Sequence, residues 1–341
     1  MNAINGIQMI GTQRSGSNLL RVIMDQSPDI ASPHPPHILI IFKPLLSLYK
    51  PLADDDNYKQ LISDVVDYVD ANPVPWDGVK LDKDEIFFRS RANSLFEINR
   101  LVYEQAAADK SAKYWCCKSM NNMYFANELE EHHSVNKYIY LYRDGRDVAA
   151  SFKKAIVGEK HIYFLAKQWK QDQEECFKLR SEIAPERFFE LNYEELIGAP
   201  EATVKSLCDF LNIAYTADML HYYTSYTSIA AATSGEMWSN LSKPIMANNT
   251  GKFLKSFTPD ELEIFEMVAG DTLERLGYPL YTSRNRPELV NDEAIEHYRI
   301  ENISLKKQAV ADANPDDLEK RKPQELIFAA IKERVAVARE V

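Results

Sequence analysis

Ile7-Gln-Met-Ile10-Gly11-Thr-Gln-Arg14-Ser15-Gly16-Ser17-Asn18 is the stretch that decides the fold. Its first four residues are a short, mostly apolar run that stops at Gly11, as a strand does on entering a loop. Leu19, Leu20, Ile23 and Met24 then recur at helical spacing until Ser27-Pro28 ends the segment. A second apolar run, Tyr138-Ile-Tyr-Leu-Tyr142, has the composition of a strand buried on both faces of a parallel sheet. Helical patterning from Ile162 to Ile183, a strand-like Arg187-Phe-Phe-Glu-Leu191 and a helical stretch from Pro200 to Leu211 continue the alternation. The pattern implies an α/β fold, a doubly wound parallel sheet with flanking helices.

The chain has 341 residues, 45% of them hydrophobic, enough for one enlarged domain with appendages. Its net charge of −11 argues against a nucleic-acid partner, whose phosphate backbone demands an extended basic surface. Any anion site must therefore be local. Cys116, Cys117, Cys176 and Cys208 show no CxxC spacing and read as reduced thiols. Met1-Asn-Ala-Ile-Asn-Gly-Ile-Gln8 lacks the basic and apolar regions of a signal peptide, and no stretch approaches the ~20 apolar residues of an integral membrane segment. A cytoplasmic protein is expected. Residues 33–108, with their prolines and the acidic run Asp54-Asp-Asp56, read as a mainly helical insertion in a domain spanning 1–281. Residues 282–341 read as a helical C-terminal extension, either a lid or an arm through which a homodimer forms.

Gly11-x4-Gly16 sits between strand and helix, where backbone N–H groups and the positive end of a helix dipole hold a phosphate-like anion. A nucleotide-binding loop of this shape places Lys and then Ser/Thr after the second glycine. Here that lysine position is Ser17, and the cation has moved into the loop as Arg14. A donor handled without metal, its bridging oxygen stabilised by a side chain, suits that change. In Arg143-Asp-Gly-Arg-Asp-Val-Ala-Ala-Ser151, Arg143 ends the second strand and Ser151 lies inside the next helix, so guanidinium and hydroxyl can share one phosphate. An ordinary capping turn, with Asp144 as cap and Arg146 paired to a carboxylate, explains the same residues.

Together the two motifs resemble the phosphoadenosine phosphosulfate-dependent sulfotransferase family, over about Ile7 to Leu280. The resemblance implies a P-loop-NTPase-like sheet and 3′-phosphoadenosine 5′-phosphosulfate (PAPS) as donor, its sulfuryl group passing in line to an acceptor hydroxyl or amine. By the same resemblance Arg14, Ser15, Gly16, Ser17 and Asn18 bind the 5′-phosphosulfate, and Arg143 and Ser151 the 3′-phosphate. Tyr193, opening Tyr193-Glu-Glu-Leu196, would lie against adenine. Gly251-Lys-Phe-Leu-Lys-Ser-Phe257 would be the last phosphate-contacting loop, with Lys252 or Lys255 reaching the 3′-phosphate.

The departures shift the expected acceptor. Arg14 and Leu19 replace the loop lysine and the adenine-stacking aromatic of phenol-sulfating members, which brings the chain closer to bacterial, carbohydrate and tyrosyl-protein types. Lys118-Ser-Met-Asn121 stands where those enzymes carry a catalytic histidine, and Met120 is no base. Ser32-Pro-His-Pro-Pro-His37 aligns with the stretch where tyrosyl-protein members place a glutamate base. His34 is the first candidate and His37 the second, unless both sit in a surface loop without chemistry. Lys118 is a further candidate donor to the transferred group. His132 and His133 lack metal-ligand spacing. Trp238, Tyr222, Tyr223 and Tyr226 either line the acceptor pocket, shaped by 33–108 and the C-terminal extension, or are core. The rival readings are a P-loop nucleotide kinase, which Ser17 disfavours, and a non-catalytic adenosine-bisphosphate-binding protein, which Met120 leaves open.

Overall fold

The computed structural model describes residues 4–133 and 135–338. Five strands, β1 (Asn5–Ile10), β2 (Ile30–Ala31), β3 (Tyr114–Cys117), β4 (Lys137–Tyr142) and β5 (Phe188–Asn192), form one sheet in the order β2-β3-β1-β4-β5. Every pairing is parallel, with Ile7 facing Cys116 on one side of β1 and Met9 facing Ile139 on the other. β1 is central, so Ile7, Met9 and Ile10 are fully buried, as a continuous apolar run requires.

β4 shows why helices cover both faces. Side chains alternate along a strand. Tyr138 and Tyr140 pack on Cys176 and Phe177 of the helix Ile162–Glu182, whereas Ile139 and Leu141 share a core with Val204 and Leu207 of the helix Pro200–Leu211. The doubly wound α/β reading therefore holds, with bounds that shift slightly. Arg187 closes a short turn and the strand begins at Phe188. The two-residue β2 carries no periodic signal that sequence reading can use.

Residues 33–108 hold the helices Ile38–Phe42, Asp55–Asp70, Lys83–Arg89 and Leu95–Asp109. The acidic run is a helix start: Asp54 accepts from the amides of Asp56 and Asn57, while Asp55 and Asp56 occupy the positive first turn. Tyr58, Leu61 and Val65 meet Ile98, Leu101 and Val102 in a second apolar core that reaches the sheet through Trp115.

The C-terminal segment forms the helices Asp292–Ala311 and Lys322–Ala338, and residues 339–341 of the extension read from the sequence lie outside the described ones. Its helices pack on their own chain. Asn302 accepts from the amides of Lys160 and His161 (2.8 and 2.9 Å), and Ile331 is buried in the core of the 33–108 segment.

A buried ion pair ties the start of the helix Gly145–Lys153, just after β4, to the helix Pro259–Arg275. Arg146 donates to Asp144 (2.7 Å) and Glu266 (2.6 Å), and Glu266 also accepts from the amides of Tyr281 and Thr282. Removing one partner of such a pair strands the other charge in low dielectric. We expect Glu266→Ala to lower unfolding free energy by about 3–5 kcal/mol in urea titration, with Arg146 keeping Asp144 as its one carboxylate and the amides of Tyr281 and Thr282 losing their acceptor.

Candidate active site

All five strands deliver a residue to one cleft at their carboxyl ends, the edge where open parallel sheets bind ligands. The loop Gly11–Gly16 follows β1, His34 follows β2, Lys118 follows β3, Arg143 follows β4 and Tyr193 follows β5. The cleft has a volume of about 1190 Å³, and cationic side chains outnumber carboxylates on its lining although the whole chain is acidic.

The loop backbone is left-handed at Gly11 (φ 123°), Arg14 (φ 71°) and Gly16 (φ 91°). A Cβ on Gly11 would stand 2.3 Å from the Leu141 carbonyl oxygen, and one on Gly16 would stand 2.3 Å from the Tyr193 ring. Close approach and backbone angle thus both demand glycine. Arg14 is strained at about 1–3 kcal/mol, a cost that clusters at functional sites. The following helix, Ser17–Asp25, has no side-chain cap and no acidic residue in its first turn, so its amides and dipole remain available to an anion. The Ser15 hydroxyl is buried without a partner.

The second motif closes on the first. Arg14 Nε donates to Ser151 Oγ (3.0 Å), and Arg143 donates to the carbonyls of Arg14 (3.4 Å) and Asn249 (2.8 Å), leaving its Nε buried and unpaired. The Arg143 guanidinium lies 4.4 Å over the Tyr193 ring, whose hydroxyl accepts from Asn249 Nδ2 (2.5 Å). Tyr193 is thereby wedged between the loop and Arg143 while lining the cleft. Both readings of this motif have a counterpart: Asp144 caps the helix Gly145–Lys153 and Arg146 is ion-paired, while Arg143 and Ser151 face the cleft.

Asp147 accepts from the amides of Gly251 (2.8 Å) and Phe253 (3.0 Å) and so anchors the turn that carries Lys252 and Lys255 to the cleft rim. Sequence reading does not find this tether. Its one signal is that Asp147 stands four residues after Arg143, a spacing that also gives the pair a contact at 3.4 Å.

Lys118 Nζ donates to Asn18 Oδ1 (3.0 Å). Burial, then the charges of Arg21 and Arg14, push its pKa down to about 7. Burial and Arg143 likewise lower the pKa of Arg14. His34 is only 8% exposed, so it is not in a solvated surface loop. Its ring stands edge-on to Trp238 at 4.8 Å, neither nitrogen has a partner, and its carbonyl is held by Asn72 (3.2 Å) and Trp76 (2.6 Å). Burial first, then Lys118 and Arg21, hold its pKa well below 6.5, so it is a neutral acceptor and a weaker base than a free imidazole. His37 also lines the cleft, its pKa pushed down to about 3 by burial and Lys118. Met120 is buried against Gly11. Tyr222 and Trp238 are core and lining at once, whereas Tyr226 is exposed. Among the described residues no cluster of His, Cys, Asp or Glu can hold a metal ion.

A parallel α/β sheet with a glycine loop between its central strand and the following helix defines a fold of the P-loop type. A family model described as "Sulfotransferase family" matches residues 6–217, and the chain belongs to the sulfotransferase family. It is an enzyme of sulfuryl transfer. Its fold is similar to that of the sulfotransferase domain from the Synechococcus PCC 7002 olefin synthase, at 17% identity over 82% of this chain and 98% of that one, with a TM-score of 0.55. The sulfotransferase domain from the curacin biosynthetic pathway is similar at 21% identity over 82% of this chain and 100% of that one, again with a TM-score of 0.55. No curated protein matches the chain. Among the described residues, no helix is long and apolar enough to cross a membrane.

The lowered pKa of Lys118 gives anion binding a sign. An anion at the loop favours the charged amine, so binding takes up protons near pH 7 and weakens as pH rises through it. With sulfate as probe, which does not itself titrate here, we expect affinity to fall between pH 6.5 and pH 8.5, by at most about tenfold per pH unit. Isothermal titration of Lys118→Met should give weaker binding with little pH dependence over that range.

Proposed function

We propose that the chain moves the sulfuryl group of PAPS to a hydroxyl-bearing acceptor by in-line displacement. The observation that carries this reading is the contact of Arg14 with Ser151, which joins two anion-binding motifs beside an uncapped helix terminus. The residues present fit a bisphosphorylated donor, since Ser15 Oγ and Arg143 Nε are buried polar atoms that still need partners. The loop amides with Arg14, Ser17 and Asn18 would hold the phosphosulfate end. Arg143, Ser151 and Lys252 or Lys255 would hold the 3′-phosphate, and Tyr193 would form a wall for the adenine. When bound, the donor supplies a sulfuryl group activated by its phosphate leaving group.

Arg14 and the loop amides stabilise the charge that grows on the leaving phosphate oxygen as the S–O bond breaks. Lys118 donates toward the oxygens of the group in transit. His34 takes the proton from the acceptor hydroxyl as the new O–S bond forms, with His37 as the second candidate. Burial first, then nearby Lys118 and Arg21, lowers the basicity of His34, and a dianion bound beside those cations offsets their share of the effect.

The kinase reading lacks the lysine that would follow the second glycine, where Ser17 stands. Ligand at ~100 times its dissociation constant adds about 2.7 kcal/mol of stability. Adenosine 3′,5′-bisphosphate should therefore raise the melting temperature while ATP with magnesium does not, and the reverse result would install the kinase. Arg14→Ala should lose about 2.7–4 kcal/mol of transition-state stabilisation, hundreds- to thousandfold in donor turnover. Turnover near the unmodified rate would remove Arg14 from this role.

A further inference from the structure

We propose that Arg321 binds a carboxylate of the acceptor, so that the substrate is a hydroxy acid of limited length whose apolar body rests on Trp238. The inference builds on the donor reading above but stands on different residues. The segment from Ala309 to Gln324 forms one wall of the cleft, beyond the residues 6–217 that the family model matches. This wall is anchored on both sides. Asp317 accepts from the Glu236 amide (2.9 Å) and Lys320 donates to the Thr233 carbonyl (2.6 Å) on one side, while Gln324 donates to the Tyr68 carbonyl (3.0 Å) on the other.

Arg321 is half-buried in this wall and makes no side-chain hydrogen bond or ion pair among the described residues. Carboxylates lie four residues away in both directions, at Asp317 and Glu325, the positions from which a helical partner would reach it. Neither comes within hydrogen-bond or ion-pair distance, and their attraction from farther off does not offset the burial that lowers its pKa. A guanidinium stays charged even when burial lowers its pKa, so holding it there without a partner costs free energy that a bidentate carboxylate would recover.

Trp238 connects this cation to the chemistry. The Arg321 guanidinium lies 5.7 Å over its ring, and the His34 ring meets the same indole at 4.8 Å. The candidate base and the unpaired cation are therefore one indole apart. Pro35, Pro36, Met237 and Ile245 add apolar lining. Such a surface suits a substrate with its hydroxyl at His34 and one anionic group an aromatic ring or short alkyl chain away. Asp312, Asp317 and Glu236 also line the cleft, which favours a monoanionic carboxylate over a phosphate dianion.

The test uses the full chain with PAPS and matched acceptors: 4-hydroxybenzoate, 4-hydroxyphenylacetate and 6-hydroxyhexanoate, each beside its methyl ester. We expect at least one acid to exceed its ester by about tenfold or more in kcat/KM. Arg321→Gln should bring the acids down to the esters through KM, and Arg321→Lys should restore part of the difference. Adenosine 3′,5′-bisphosphate affinity, measured on the same samples, should stay within about twofold and shows that each variant is folded. Acids no better than esters, no turnover of any acid, or equal losses for both in Arg321→Gln overturns the inference while donor binding persists. Failure of the unmodified chain to bind adenosine 3′,5′-bisphosphate overturns the donor reading, and this inference with it.

Discussion

The close approach of Gly11 to the Leu141 carbonyl is the constraint on which the rest of the site depends. It lets the chain leave β1 beside β4 and turn sharply enough to aim the uncapped start of the helix Ser17–Asp25 into the cleft. Support comes from below and from the side. Gln173 donates to Thr12 Oγ1 (2.8 Å) while accepting from Tyr140 (2.5 Å), and Gln13 donates to Asn121 (3.1 Å) beyond β3. A loop held at Thr12 and Gln13 in this way is pre-organised, so little reorganisation remains when charge develops against it.

Around that loop, charge is gathered despite a chain that is acidic overall. Arg14, Lys118 and Arg143 are mostly buried, and burial first, then neighbouring positive charge, lowers the pKa values of Arg14 and Lys118. Asp147 offsets part of this while tethering the Gly251–Phe253 turn, so one carboxylate serves both electrostatics and shape. Arg146 and Glu266 form a separate buried network that does not line the cleft. Alternate arginines of the Arg143–Ser151 motif thus face different tasks, because a helix start turns neighbouring side chains to different sides.

The main strand and helix succession was legible from periodicity, since β1, β4, β5 and the helices Ile162–Glu182 and Pro200–Leu211 are long apolar or amphipathic runs. β2 was not, because two residues carry no period. The loop and Arg143–Ser151 were visible as local motifs. Asp147 as a tether, the burial of His34 and the placement of Arg321 were not, since each depends on partners far away in sequence: Gly251 for the first, Trp238 for the other two.

By itself the sequence determined the succession of strand, glycine loop and helix around which the site is built, because spacing, backbone freedom and the missing P-loop lysine are local properties. Only the tertiary structure decided what surrounds that site. Folding brings the 33–108 segment, Trp238 and the C-terminal wall to the same cleft, and burial then resets Lys118 toward neutrality and leaves His34 without partners. Those outcomes follow from desolvation and from contacts between distant segments, which no stretch of residues records alone.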